Sequence, residues 1–314
     1  MLDILNKVES LLKNSNIKDE GDIETYYNYS LNKLSSFKTD GKCPIFIVIK
    51  NEVSLQKILN LFYENEIRFY LIGDGTNILI NDKNNDYVIL KLGKDFSFID
   101  FSENDLISCG AAFNLGKFVI SCCKQGYDFS FLAGVPGTVG GAVYGNSGNK
   151  TDSICNYVES IECFILGSNE IIKKRYYFKP TNYSYRCLDI RNLLAITKVY
   201  FKKERSNKKL IFGKINENIR VKKASQPLNT FNAGCFFKNP LNSKKTAAEL
   251  IDELGLKGFY FGGASVSQKH ANFIENSNMA TPEDIFLLSR IIFGYVKDNY
   301  NINLENEVHL IGFK

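Results

Sequence analysis

Histidine is nearly missing from this chain. Of 314 residues, only His270 and His309 are histidines. A Ser–His–Asp nucleophile is not expected, since neither histidine stands in a suitable context, and a histidine-rich metal site lacks its ligands. Cysteine occurs at Cys43, Cys109, Cys122, Cys123, Cys155, Cys163, Cys187 and Cys235, but no two form a Cys-x-x-Cys pair, so zinc-type spacing is absent and no metal is expected. In a chain this long they read as reduced, mostly buried thiols. No apolar run approaches the roughly 20 residues of a membrane span. No block of like charge exists either. The net charge is +5 with lysines scattered among acids, which is a solvated surface and not a nucleic-acid footprint. Repeats and low-complexity segments are also lacking.

What is present reads as alternating helix and strand. Met1 to Lys13 has apolar residues at helical spacing, without the apolar core and cleavage site of a signal peptide, so a cytoplasmic protein is expected. Pro44–Ile49, a helical stretch with Leu55, Ile58, Leu59 and Phe62, and Arg68–Ile72 make a βαβ unit. Tyr87–Leu92, Phe96–Phe101 and Leu106–Gly110 are strand-like. Asn114–Gln125 is a helix stopped by Gly126, and Val158–Leu166 and Leu193–Phe201 are long strands. Beyond the charged stretch Lys202–Lys209 come a basic helix ending near Ser225 and a helix from Thr246 to Leu254 stopped by Gly255. Thr281-Pro-Glu-Asp284 then opens another helix.

Two glycine segments carry the first chemical signal. Phe131 to Gly148 holds Gly134, Pro136, Gly137, Gly140, Gly141, Gly145 and Gly148, carries no charge, and ends in Asn146-Ser147-Gly148. Bare backbone lets another group approach closely. The run reads either as a partly buried loop presenting N–H groups to phosphates or as a tight structural turn. Gly73-Asp-Gly-Thr-Asn77, at a strand end, reads either as a pyrophosphate turn or as a plain hairpin. It is not the Gly-x-Gly-x-x-Gly fingerprint of nicotinamide folds, because Ile78–Ile80 continues as a strand. Tyr183-Ser-Tyr-Arg-Cys187 and Asn232 to Pro240 are also over-specified for packing. In Leu304-Glu-Asn-Glu-Val308, strand alternation puts Glu305 and Glu307 on one face.

Taken in order, these segments resemble UDP-N-acetylenolpyruvoylglucosamine reductase, a family of FAD enzymes in peptidoglycan precursor synthesis. The resemblance rests on Gly73–Asn77, Val135–Ala142 with Asn146–Gly148, and Tyr185-Arg186. It extends through Gly234–Pro240, Val266–Ile274 and Leu304–Val308, and spans residues 40 to 312. It implies FAD as cofactor, NADPH as reductant and a UDP-sugar enolpyruvyl substrate. A hydride passes from NADPH to the flavin and on to the enolpyruvyl C3 carbon, and a proton then reaches C2.

Position by position, the resemblance places the catalytic arginine on Arg186, the glutamate on Glu307 and the proton-donating serine on Cys235, where this chain departs from the family. A guanidinium holds a carboxylate in a fork. A glutamate beside that carboxylate works best with its pKa raised. A thiol, with a reference pKa of about 8.5, is mostly protonated at neutral pH and can donate. Each residue also has a plain reading: Arg186 as a hairpin-closing surface residue, Cys235 as a small buried hydrophobe, Glu307 as an exposed strand residue. His270 reads as a structural hydrogen-bonder.

Flavin contacts are expected from Gly73, Gly75, Thr76, Asn77, Ile78, Gly134, Pro136, Gly137, Thr138, Gly140, Gly141, Ala142, Asn146 and Gly148. Substrate contacts are expected from Tyr185, Lys238 and Asn239. Asp74 replaces a family glycine and sets a negative charge beside the expected pyrophosphate. The family's N-terminal flavin segment survives only as Ser35–Gly41. The short span from Arg186 to Cys235 fits the subclass without a substrate-covering loop. The expected architecture is α+β: residues 1–95 and 96–222 clamp FAD, 223–300 form a smaller substrate-binding domain, and 301–314 return Glu307 to the site. An FAD-linked oxidase acting on an alcohol or sugar is the alternative.

Overall fold

The computed structural model describes residues 2–15, 17, 22–83, 86–149 and 151–313. Met1, where the expected first helix begins, lies outside them, as do Lys314 and the side chains of Leu2 and Asp3. The fold is α+β, as the sequence predicts. The chain forms two compact units, each discontinuous in sequence. The first comprises Met1–Tyr27, Pro44–Asp74 and Asp86–Arg220; the second comprises Asn28–Cys43, Gly75–Asn85 and Val221–Lys314. The units follow packing rather than the contiguous spans 1–95, 96–222, 223–300 and 301–314. Phe37 and Leu79 belong to a core built mainly from residues after 230.

In the first unit, four strands lie in the order Ile23–Ser30, Lys42–Ile49, Val88–Leu92, Phe69–Ile72. Val88–Leu92 runs parallel to both neighbours, with Ile45 and Phe69 each opposite Val88. The expected βαβ strands therefore exist but are not adjacent; the next apolar strand slots between them. The helix Glu52–Glu64 joins them. Asn51 caps it by accepting from the Ser54 N–H at 2.9 Å, and Leu55, Ile58, Leu59 and Phe62 are buried. The first helix, Leu2–Asn14, adds Val8 and Leu12 to the same core.

The unit's second sheet is antiparallel, ordered Ile99–Asp100, Leu106–Gly110, Leu193–Lys202, Val158–Leu166, Ile171–Tyr177. The expected strand Phe96–Phe101 shrinks to two residues. A 3₁₀ turn over Lys94–Phe96 precedes it and buries Phe96. The helix Leu115–Gln125 starts at Asn114, which accepts from the Lys117 N–H, and ends at Gly126 in the left-handed region (φ 86°). Its Phe118 ring lies 4.8 Å from both Phe129 and Phe201, which seats the helix on the long strand.

In the second unit, Tyr260–Phe261, Ala264–Val266 and Ile274–Asn276 form a meander beside the helices Ala247–Glu253 and Pro282–Tyr300. Ile78–Ile80 pairs in parallel with His309–Ile311, bringing the end of the chain to the strand after the glycine turn. Residues 304–307 are not a regular strand but carry an isolated bridge from Asn306 to Phe237, so the alternation argument for Glu305 and Glu307 does not apply; the strand begins at His309. Among the described residues, no helix is long and apolar enough to cross a membrane.

Thr281 starts the Pro282–Tyr300 helix through a reciprocal cap. Its hydroxyl accepts from the Asp284 N–H at 3.1 Å, and its own N–H donates to Asp284 Oδ2 at 2.9 Å. Thr281→Ala removes the first of these bonds and is expected to destabilise the protein by about 1 kcal/mol. The midpoint of urea unfolding measures it.

Candidate active site

In the first unit, the two glycine segments meet. A Cβ at Gly73 would stand 2.6 Å from Thr138 Oγ1, and one at Gly141 would stand 3.3 Å from the same atom. Bare backbone from two distant segments thus surrounds one hydroxyl. The run is half-buried: Gly134, Pro136 and Gly141 are exposed, while Gly137, Thr138, Gly140 and Ala142 are buried. It is not loop throughout. Thr138 accepts from the Gly141 N–H at 3.2 Å and caps a short helix, Val139–Tyr144. Gly140 has a packing reason, since a Cβ there would lie 2.7 Å from that of Ala111. Asp74 is answered by Lys91, whose ammonium lies 2.9 Å from its carboxylate.

Arg186 closes a hairpin, as its plain reading holds. Tyr183 faces Leu188, Ser184 faces Cys187, and Arg186 takes φ 55° at the turn. Its side chain does not stay at the surface, however. Nη1 donates to the Asn146 carbonyl at 3.4 Å and Nη2 to that of Gly148 at 3.1 Å. Buried Asn146 donates to the Ser184 carbonyl at 2.8 Å and accepts from the Cys155 N–H at 3.2 Å. The end of the glycine run and the Tyr-Arg hairpin are thereby one construction. Tyr185 stays exposed, 5.3 Å from the Arg186 guanidinium.

The second unit takes up the glycine turn at Gly75. There φ is +69°, and a Cβ would fall 1.7 Å from the Leu34 carbonyl oxygen. Ser36 N–H donates to Gly75 O at 3.0 Å, and Ser35 Oγ to Ile78 O at 2.9 Å. The Ser35–Gly41 segment, without its family pattern, thus packs on the Gly75–Ile78 turn. The Asn77 amide donates to the Glu307 carbonyl at 3.0 Å, and the Asn77 carbonyl accepts from the His309 N–H at 3.1 Å.

Six cysteines are buried and Cys187 is exposed; Cys235 is half-buried and follows Gly234 (φ +82°), where a Cβ would meet nothing within 4 Å. Cys235 bridges antiparallel to Phe273, and on the opposite side of the segment the Glu307 N–H donates to Phe236 O at 2.8 Å. Cys235 and Glu307 are therefore anchored to neighbouring residues of one ladder. Lys238 continues it: its N–H donates to Glu305 O at 2.8 Å, and its ammonium lies 3.4 Å from the Glu305 carboxylate. Asn239 serves the fold, as its side-chain oxygen accepts from the Ala247 N–H at the start of a helix.

Asn272 lies within Val266–Ile274, a segment to which the sequence assigns no individual role. It is buried, and its amide holds both polar groups of Phe237, at 2.9 and 2.7 Å. An amide set between Ala271 and Phe273 was the available signal, since a buried amide needs partners. Lys91 gave no signal, because its partner Asp74 lies in the turn that follows another strand. His270 is a hydrogen-bonder, as expected. Burial pushes its imidazole below the usual value, and its Nδ1 accepts from the Asn272 N–H at 3.3 Å. Among the described residues, no group of three or more His, Cys, Asp or Glu could hold a metal ion.

Residues 44–173 match the FAD binding domain family, and residues 226–311 match the UDP-N-acetylenolpyruvoylglucosamine reductase, C-terminal domain. The UDP-N-acetylenolpyruvoylglucosamine reductase of Orientia tsutsugamushi (strain Ikeda) is 34% identical, covering 91% of this chain and 94% of its own. The chain belongs to the UDP-N-acetylenolpyruvoylglucosamine reductase family. The reductase of Bacillus pumilus (strain SAFR-032) is 31% identical over 91% of this chain and 93% of its own. The crystal structure of UDP-N-acetylenolpyruvylglucosamine reductase from Thermus caldophilus superimposes with a TM-score of 0.75 at 26% identity, covering 92% of this chain and 98% of that one. This reductase family binds FAD, and the residues here fit it. Side-chain-free backbone surrounds Thr138, and the one acid in the turn is neutralised by Lys91.

Gly75→Ala forces a methyl group into the Leu34 carbonyl at a left-handed position, so the turn must move. The purified variant is expected to carry clearly less flavin per protein than the parent, read from visible absorbance. An unchanged ratio would put the cofactor elsewhere.

Proposed function

We propose that the chain transfers reducing equivalents from NADPH through FAD to the enolpyruvyl group of UDP-N-acetylenolpyruvoylglucosamine. The product is UDP-N-acetylmuramate, a precursor of peptidoglycan, made in the cytoplasm. The observation that carries this is the ladder joining Cys235 and Glu307 in a chain that aligns with the Orientia reductase over 91% of its length. In functional terms, residues 1–95 and 96–222 serve FAD, 223–300 serve the substrate, and 301–314 deliver Glu307. The alternative, an FAD-linked oxidase, has less support, because the relatives matched over most of the chain are reductases.

Bound FAD supplies a two-electron carrier. The protein must then bind the sugar nucleotide, stabilise charge on its carboxylate and deliver one proton to C2. Arg186 suits the second task. The carbonyls of Asn146 and Gly148 fix the direction of its guanidinium, so little reorganisation accompanies binding. Cys235 suits the third, as a half-exposed thiol on a pinned backbone. Glu307, held through its N–H by Phe236 and its carbonyl by Asn77, assists at the carboxylate. Tyr185, Lys238 and Asn239 contribute substrate contacts, Asn239 through its amide nitrogen, since its oxygen accepts from the Ala247 N–H.

Cys235→Ala separates the two halves of the cycle. Flavin reduction by NADPH is expected to proceed at the parental rate, while reoxidation by the enolpyruvyl sugar nucleotide slows by roughly 10²–10⁴-fold. Stopped-flow absorbance reads both. Equal losses in the two halves would remove Cys235 from the proton-donor role. Cys235→Ser keeps a donor at the same place and is expected to retain substantial turnover.

A further inference from the structure

One peptide group in the second unit is gripped at both ends. The 236–237 peptide gives its N–H to Asn272 Oδ1 at 2.9 Å and receives the Glu307 N–H on its carbonyl at 2.8 Å. The next peptide is held likewise. Its carbonyl, on Phe237, accepts from Asn272 Nδ2 at 2.7 Å, and its N–H, on Lys238, donates to Glu305 O at 2.8 Å. The Asn272 backbone adds a third bond, from the Phe236 N–H at 2.8 Å. Cys235 is the residue just before this clamp. Asn272 is only 2% exposed and lies on the opposite side of the segment from Glu307.

We propose that Asn272 is a positioning residue for the second half of the reaction, setting the Cys235 thiol and the Glu307 segment in one fixed relation through two consecutive peptide groups. This rests on the roles given above to Cys235 and Glu307. An amide suits the task because it offers one acceptor and one donor side by side, matching the N–H and C=O of Phe237. A proton-donating group must be held to within about half an ångström, and a displacement of about 1 Å costs on the order of 10²-fold in rate.

The test is Asn272→Asp, assayed by stopped flow in both half-reactions across pH. A protonated carboxyl has the same donor and acceptor pattern as the amide; an ionised one has acceptors only and repels the Phe237 carbonyl. Burial raises the pKa of such a carboxyl by several units. The ratio of variant to parent reoxidation rate is therefore expected to rise about tenfold or more as pH falls from about 9 to about 6, while the ratio for flavin reduction stays flat. The other titratable and charged groups facing this segment, namely Cys235, His270 with its neighbours Lys257 and Asp252, and Lys238, Glu305 and Glu307, are the same in both proteins, so the ratio isolates the change at position 272. A flat reoxidation ratio, or equal movement in both half-reactions, overturns the proposal. Asn272→Gln is the second variant. It keeps both amide groups but displaces them by a methylene, and it is expected to slow reoxidation alone, by about tenfold or more; parental reoxidation overturns the proposal. Cys235→Ala distinguishes the layers. If it leaves reoxidation intact, the proton-donor reading fails; if it slows reoxidation and the Asn272 variants do not, only the positioning proposal fails.

Discussion

The parallel pairing of Ile78–Ile80 with His309–Ile311 is the contact on which the placement of the chain's last stretch depends. It fixes the last stretch of the chain beside the strand that leaves the glycine turn. Asn77 extends the pairing by one residue and takes hold of the Glu307 carbonyl. The same tail then runs along the Cys235 segment, so the glutamate is located by backbone bonds on both sides before its side chain does anything. A flexible tail would have to be ordered at each turnover, at an entropic cost per residue comparable to a hydrogen bond.

The legible parts of this fold were those whose causes are local. Gly126 stops its helix because a left-handed cap favours glycine, and Thr281-Pro-Glu-Asp284 starts one because each residue satisfies or tolerates an open N–H. Strand order was not local: nothing between residues 44 and 72 announces that Val88–Leu92 will insert between its two strands. Alternation at Leu304–Glu307 imitated a strand, yet the segment pairs irregularly, with an isolated bridge from Asn306 to Phe237. For the site, the motifs identified the segments but not their partners. Arg186 reaching back to Asn146 and Gly148 and Asn239 capping a helix are facts of packing that spacing does not encode.

Two substitutions within the family pattern become understandable as local adjustments. The charge of Asp74 is met by Lys91 from the neighbouring strand, so the turn carries no net negative charge. Cys235 stands where the sequence resemblance implies a serine, and a thiol also carries an acidic hydrogen. Cys235 is half-buried, unlike the six buried cysteines. A thiol in packed interior is held neutral by desolvation, as at Cys43, pushed up to about 12.

The interleaving of the two units governs how the molecule is made. The chain passes from one unit to the other at residues 27, 43, 74, 85 and 220, so no single cut separates them. Asn77 waits for a partner 230 residues downstream. On a ribosome, the second unit cannot close until nearly the whole chain has emerged, and Phe37 and Leu79 remain uncovered until the late helices arrive to bury them. Capture of Glu307 by Asn77 is thus among the last events of biogenesis, and a nascent chain cut short before residue 307 lacks the partner that Asn77 holds.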